Sequence, residues 1–439
     1  MKKVLTLLLA LVMVLSLTAC VASQPTTGSK NDPTKPTTAP TNKPTEPTTT
    51  PTVPTTAPTE PESNDEIVVV DNENFTVKVA GITSDEENYI LTLYIENKGT
   101  VLLSFTFNNV ITNNYVCPDI SMYADVAAGE NYTDSLIIPR TTLDRNGITD
   151  PAKLEFNLYV MNGETWADLF NENCTVYPQG EGSYVDDGGY NAQEGDTVLV
   201  DNDSVTVIVI GYEPENEMGY VVNLYVANKS DKSLLVAAED VLVNDLVFDP
   251  WWSVEVPAGK RCVSQMIWYG DQFTTYGIGD ITKIDFDLSA KDNTDPESPE
   301  FAGVHCALYP MGEEAYKPFE RPEQDTDVVL MDNEYVTIIA TSIGIDANGD
   351  YTMVLYMQNK ADSNVFIKPT NVCLNGVEID PWWGATVTAG KATFGSISWF
   401  SFALEENSIT SVETITMTVT VFDELGENTF VSEDITINP

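Results

Sequence analysis

The chain has 439 residues, with 67 acidic side chains against 21 basic ones and a single histidine, for a formal charge of −46. A surface this acidic repels nucleic acid and anionic headgroups, while one histidine excludes a multi-histidine metal centre and argues against a Ser–His–Asp arrangement. Hydrophobic residues make up 42% of the chain, which is ordinary for a globular protein and enough to build cores.

Lys2 and Lys3 precede an apolar run from Val4 to Leu15 that is too short for a comfortable membrane span. Residues 1–19 are therefore predicted to be an export signal. The segment closes as Leu17-Thr18-Ala19-Cys20, which resembles the lipobox of bacterial lipoproteins. That resemblance implies that Cys20 carries lipid and becomes the N-terminus, with the protein held at the extracellular face of the cell membrane. The alternative is an ordinary secretory peptide in which Cys20 is incidental.

Residues 20–63 are nearly all Pro, Thr, Ala, Lys and Glu. Such a stretch buries no apolar surface and favours extended polyproline II, at roughly 3.1 Å per residue. It is predicted to be a disordered stalk with a reach on the order of 100 Å; glycosylation of its threonines would stiffen it.

Three copies of one unit follow, at 64–180, 195–312 and 326–439, joined by acidic, Gly-rich connectors. Each opens on Asp-Asn, at Asp71-Asn72, Asp201-Asn202 and Asp332-Asn333, and runs into a strand with a central threonine: Thr76, Thr206 and Thr337. A second strand carries Leu-Tyr and then Asn-Lys, at Asn97-Lys98, Asn228-Lys229 and Asn359-Lys360. Duplicated whole domains explain this spacing; a short-period solenoid does not. Within each copy the apolar period is two, as in Leu91, Leu93 and Ile95, or Met353, Leu355 and Met357, and no long amphipathic helix stands out. The predicted fold is all-β: three tandem antiparallel β-sandwiches. Asn113-Asn114, Asn244-Asp245 and Asn375-Gly376 are predicted hairpin turns, because these residues tolerate positive φ.

The sharpest repeated phrase is Asp-Pro-Trp-Trp, at Asp249–Trp252 and Asp380–Trp383, which the first copy lacks. Strand alternation assigns Trp252 and Trp383 to the core, with Trp268 and Trp399. It puts Trp251 and Trp382 on the polar face beside Asp249 and Asp380. An indole on a polar face is a platform on which a sugar or aromatic ring can stack. These four residues are the candidate ligand-binding set; the alternative is that the indoles cover a sheet edge, an interdomain seam or a loop, and Pro250 and Pro381 can break the alternation.

Cys117 and Cys174, and Cys262 and Cys306, are candidate disulfide pairs for an exported protein, with buried free thiols as the competing reading. Cys373 is left alone. His305 is expected to face solvent, and Asp346–Asp350 to be a hairpin turn, since it lacks the closing glutamate of a calcium loop. No cofactor and no metal site is expected. Lipobox, stalk and repeated sandwiches together are similar to Gram-positive cell-surface lipoproteins with immunoglobulin-like domains. That resemblance transfers no site residues. The expected function is non-enzymatic binding or adhesion to a glycan or surface protein. A structural envelope role and a carboxylate-dependent hydrolase are the alternatives.

Overall fold

The computed structural model describes residues 66–439 apart from Asp119, Trp251, Asp271 and Pro296; the expected signal, Cys20 and the Pro/Thr-rich stretch lie outside the described residues. The fold is all-β. Repeat 1 contributes β1 (Ile67–Asp71), β2 (Phe75–Ser84), β3 (Asn88–Asn97), β4 (Leu103–Thr112) and β5 (Tyr115–Val116). β6 (Met122–Val126), β7 (Asn131–Pro139), helix α1 (Arg140–Arg145), β8 (Leu154–Asn162) and β9 (Asp168–Val176) complete it.

Repeat 2 runs through β10 (Thr197–Asp201), β11 (Val205–Asn216), β12 (Gly219–Asn228), β13 (Leu234–Val243) and β14 (Leu246–Val247). It continues with β15 (Ser253–Val256), β16 (Arg261–Tyr269), α2 (Gln272–Thr275), β17 (Ile284–Asp292) and β18 (Ala302–Leu308). Repeat 3 follows the same order: β19 (Val328–Asp332), β20 (Val336–Ile345), β21 (Tyr351–Asn359), β22 (Val365–Leu374) and β23 (Val377–Glu378). Then come β24 (Ala385–Val387), β25 (Ala392–Trp399), α3 (Ser401–Glu406), β26 (Ile415–Asp423) and β27 (Thr429–Ile437).

In repeat 1 the order β1-β2-β3-β7 makes one sheet, and β4-β8-β9, with β5 and β6 on the far side of β4, makes the other. Repeats 2 and 3 reproduce this plan, and pairing within each repeat is antiparallel. Period two does its work in β3, where Tyr89, Leu91, Leu93 and Ile95 are buried and their neighbours are not. Each fully buried leucine or valine in such a core contributes about 1.5–3 kcal/mol relative to exposure.

The repeated polar landmarks are fasteners. Asn97, Asn228 and Asn359 are buried, and their amide nitrogens donate to pairs of backbone carbonyls, Val101 and Val126, Lys232 and Val256, and Ser363 and Val387. Their carbonyl oxygens accept from the N–H groups of Gly99, Ser230 and Ala361, so each amide is satisfied on both sides. Asp71, Asp201 and Asp332 each accept from the threonine five residues on, at 2.8 Å, and pair with Lys98, Lys229 and Lys360. The lysine hydrogen bond and then the threonine hold all three carboxyls below the usual aspartate range.

The sheets do not stop at the repeat boundaries. β5 of repeat 1 lies parallel to β16 of repeat 2, with Tyr115 opposite Arg261, and β14 of repeat 2 lies parallel to β25 of repeat 3, with Leu246 opposite Ala392. Both donors are the second arm of the Asn-led hairpins, whose two turn residues have φ of 48° and 71° in repeat 1 and 49° and 71° in repeat 2. At the first seam Arg261, only 7% exposed, pairs with Asp186 and Asp187 of the connector and lies over Tyr115. Gly189 lets the connector lie flat: a β-carbon there would meet Tyr225 Oη at 2.4 Å, and its φ is 88°. At the second seam Tyr276 stacks on Phe394 at 5.1 Å, and Phe319 of the next connector packs edge-on to the same ring. The connectors therefore strap the seams they cross.

Two outcomes follow from the fasteners. Asn228→Ala orphans the buried carbonyl of Val256 and the partly buried one of Lys232, and is expected to lower unfolding free energy on the order of 2 kcal/mol in urea titration. A lowered carboxyl pKa contributes stability that is complete above the ordinary value of 3.8 and is lost as pH falls through the folded value. Between pH 7 and pH 3 the wild type should therefore lose more thermal stability than Asp71→Asn/Asp201→Asn/Asp332→Asn.

Candidate binding surface at the end of repeat 3

The first tryptophan of each Asp-Pro-Trp-Trp phrase was expected on a strand face. Trp382 instead lies in the loop between β23 and β24, because Pro381 cannot donate to a ladder and ends the pairing. Its φ is 51°, and its N–H donates to Asp380 Oδ1 at 2.9 Å. Asp380 is thus the clamp of the turn that throws the indole outward, leaving Trp382 93% exposed. Trp251 lies outside the described residues; Asp249, just before Pro250, is exposed. Asp249 is one of the carboxylates that, after burial itself, push the carboxyl of Asp240 above its usual range.

The second tryptophans face inward. Trp252 is buried and donates through Nε1 to Ser264 Oγ at 2.9 Å, while Trp383 is half-buried against the core of repeat 3. At the place of Ser264 repeat 3 has Gly395, where a side chain would meet the Trp383 ring at 3.2 Å. Trp268 and Trp399 are fully buried and donate to the carbonyls of Phe248 and Ile379. The Trp399 bond ties the loop that carries Trp382 to the last residue of β25. Phe400 follows directly, 54% exposed, and stacks on Phe402, 61% exposed, with ring centroids 5.6 Å apart. Alternation over β25 could not assign these two phenylalanines, because they lie past its end.

The candidate disulfides are not formed, and the competing reading of buried free thiols applies: Cys117, Cys174, Cys262 and Cys306 are free and buried, and Cys373 is free and half-buried. Their places in the sheets explain this. Cys117 follows β5, with β4 and β8 between it and Cys174 on β9. Cys262 and Cys306 do face one core, but β16 and β18 lie on opposite edges of the sandwich, since β18 lies against β10. Strands about 4.8 Å apart put both pairs beyond the ~7 Å reach of a disulfide. Burial pushes the thiols of Cys117 and Cys306 up to about 11 and that of Cys262 up to about 12.

His305 is exposed, with Nδ1 2.8 Å from Asp287 Oδ1 and Nε2 3.9 Å from Asp285 Oδ1, so both ring nitrogens face carboxylates and neither faces a hydroxyl. Asp346 Oδ1 accepts from the N–H groups of Asn348 and Asp350, so the 346–350 loop uses that carboxylate to close a hairpin turn. Among the described residues no group of three or more His, Cys, Asp or Glu side chains is gathered as metal ligands would be. Open clefts of about 500 and 590 Å³ lie in repeats 1 and 2; the first holds one carboxylate, Asp150, and the second two, Glu215 and Asp280.

No family model matches the chain, and no curated protein does. Among solved structures, red sea bream transglutaminase is similar over 64% of this chain and 37% of its own length, at 12% identity and a TM-score of 0.14. The chain thus spans little more than a third of that protein, and a likeness at this level carries no activity across.

The thiol geometry has a direct check. In denaturant without reductant, all five cysteines after Cys20 should take up iodoacetamide; in the native chain near neutral pH the four buried ones should stay unmodified.

Proposed function

We propose that this is a non-enzymatic, lipid-anchored cell-surface protein. In this reading immunoglobulin-like repeats on a Pro/Thr-rich stalk present a ring-binding surface around Trp382. The observation that carries it is a large indole, 93% exposed, on a turn clamped by its own aspartate. Burying or stacking that indole is favourable, and leaving it in water is a standing cost unless a ligand covers it. A flat apolar ring with acidic neighbours suits a sugar, whose C–H face stacks while its hydroxyls donate to carboxylates. The stacked pair Phe400–Phe402, past the strand end tied to the same loop, adds further aromatic surface.

Attachment and recognition are checked separately. Cys20→Ala should move the protein from the membrane fraction to the medium. Trp382→Ala, and the double variant with Trp251→Ala, should keep the fold and reduce retention on cell-wall polysaccharide roughly tenfold, a loss of about 1.4 kcal/mol. Equal retention of wild type and double variant removes the sugar-platform reading.

A further inference from the structure

The seams between repeats follow one rule. The second arm of the Asn-led hairpin in one repeat supplies an edge, and the β7-type strand of the next repeat lies along it in parallel. The accepting strand is led in by Gly-Lys and has an apolar residue three places after the lysine: Gly259-Lys260 with Val263, and Gly390-Lys391 with Phe394. A neighbouring strand adds Ile208, packed against the core of repeat 1, at the first seam, and the buried Ile339 stands at its place in repeat 3. The lysine reaches the donor: Lys260 Nζ lies 3.0 Å from Asn114 Oδ1 and 2.6 Å from Glu155, and Lys391 lies 3.9 Å from Asp245. The residue after the short helix also reaches across. Asn146 Oδ1 accepts from the Val263 N–H at 3.1 Å, and Tyr276 covers Phe394.

The two ends of the array depart from this rule in opposite ways. In repeat 1 the accepting face is polar. Glu130 stands where Lys260 does, Thr133 where Val263 does, and Lys78, paired with Glu66 at 3.0 Å, where Ile208 does. Asn131, Tyr132 and Thr133 are exposed, whereas Arg261–Val263 and Ala392–Phe394 are buried. Polar and charged residues along an edge strand protect it from pairing, and a polar outer face is what the terminal unit of a repeat array needs. Repeat 3 keeps the donor side complete. Asn375 and Gly376 hold the same turn, with φ of 52° and 82°, and Asn375 Oδ1 accepts from Glu413 and Thr414 as Asn244 does from Thr282 and Lys283. Asn407 stands where Asn146 does. Among the described residues β23 pairs with β22 alone, and no strand lies along its outer edge.

We propose that the outer edge of β23 is a docking edge for a partner protein's β-sandwich, which presents a parallel edge strand led in by Gly-Lys with an apolar residue three places further on. The site uses Val377, Glu378 and Asn407, not the indole of Trp382, and goes beyond the sugar-binding reading. The occupant is a different protein and not a second copy, because repeat 1 lacks the lysine and both apolar residues that the seams use. Specificity comes from that pattern, since a two-residue ladder alone is too short to hold a complex.

A variant of this chain can serve as the probe. Lys78→Ile/Glu130→Lys/Thr133→Val gives repeat 1 the accepting pattern of repeat 2. Glu378→Pro removes an outward N–H from β23: at its place in repeat 2 the carbonyl of Val247 points outward and accepts from Thr393 Oγ1, and in a strand the N–H of a residue points to the same side as its carbonyl. The variant with all four changes can accept but not donate. Mixed with the wild-type chain, both starting after Cys20, it should form a 1:1 complex in sedimentation velocity, while wild type alone stays monomeric. Wild type bearing only Glu378→Pro should bind the probe at least about tenfold more weakly. The milder probe Glu130→Lys/Thr133→Val/Glu378→Pro keeps the Lys78–Glu66 pair and should bind more weakly but in the same ratio. No complex with either folded probe, or equal binding by the Glu378→Pro chain, overturns the proposal. Self-association of the wild type overturns the assignment of repeat 1 as a cap.

Discussion

Two consecutive residues in the left-handed region, three times over, are the constraint on which the rest of this structure depends. Asn113-Asn114, Asn244-Asp245 and Asn375-Gly376 all take positive φ, a conformation that costs other side chains about 1–2 kcal/mol. The turn is braced, because the first asparagine accepts from backbone N–H groups of the segment leading into the next long strand: Ala152 and Lys153 in repeat 1, Thr282 and Lys283 in repeat 2. A hairpin so fixed leaves one edge of its second arm facing away from its own repeat. That exposed edge is what the following repeat joins. Without the turn there would be three sandwiches on a string.

The two seams reach the same geometry through different chemistry. At the first, a guanidinium is taken out of water, matched by two connector carboxylates, and its Nε has no partner. Such a pair contributes little net stability, but the buried guanidinium without its half-exposed carboxylates would be strongly unfavourable, so it fixes which surface meets which. At the second, Ala392 replaces the arginine, and aromatic packing of Tyr276, Phe319 and Phe394 takes over. There, area removed from water supplies the stabilisation and the ring geometry supplies the register.

The sandwich itself was open to reading from the sequence, because period two, the landmarks 130 or 131 residues apart and the Asn-led turns are all local signals. Trp252, Trp268 and Trp399 fell into place by alternation. Trp382 did not, because alternation holds only while the strand does and Pro381 ends it. The cysteine pairs failed for a related reason: facing one core says nothing about which edge of the sandwich each strand occupies. The seams were hidden as parallel contacts between distant segments, yet they leave a trace. Val207-Ile208-Val209-Ile210 is apolar on both faces, where repeat 1 has Val77-Lys78-Val79-Ala80. A continuous apolar run in a strand otherwise expected to alternate marks a sheet covered on both sides.

Repetition is therefore a poor guide to where this protein meets the outside. The residues that recur in all three copies, the Asp-Asn turn, the threonine, the buried asparagine and its lysine, are consumed by hydrogen bonds inside each repeat. What remains uncommitted lies where the copies differ: an indole on a clamped turn, two stacked phenylalanines past a strand end, and a short edge with no strand beside it. These three belong to repeat 3; repeat 1 exposes an indole of its own, Trp166, at 71%. Repeat 1 differs in the other sense, with Lys78 and Thr133 making polar a face that repeat 2 keeps apolar, and Glu130 reversing the charge of the seam lysine. Among the described residues the first repeat protects the edge strand that its successors use and the third leaves a donor edge unpaired, and that difference is written in a handful of substitutions against an otherwise constant frame.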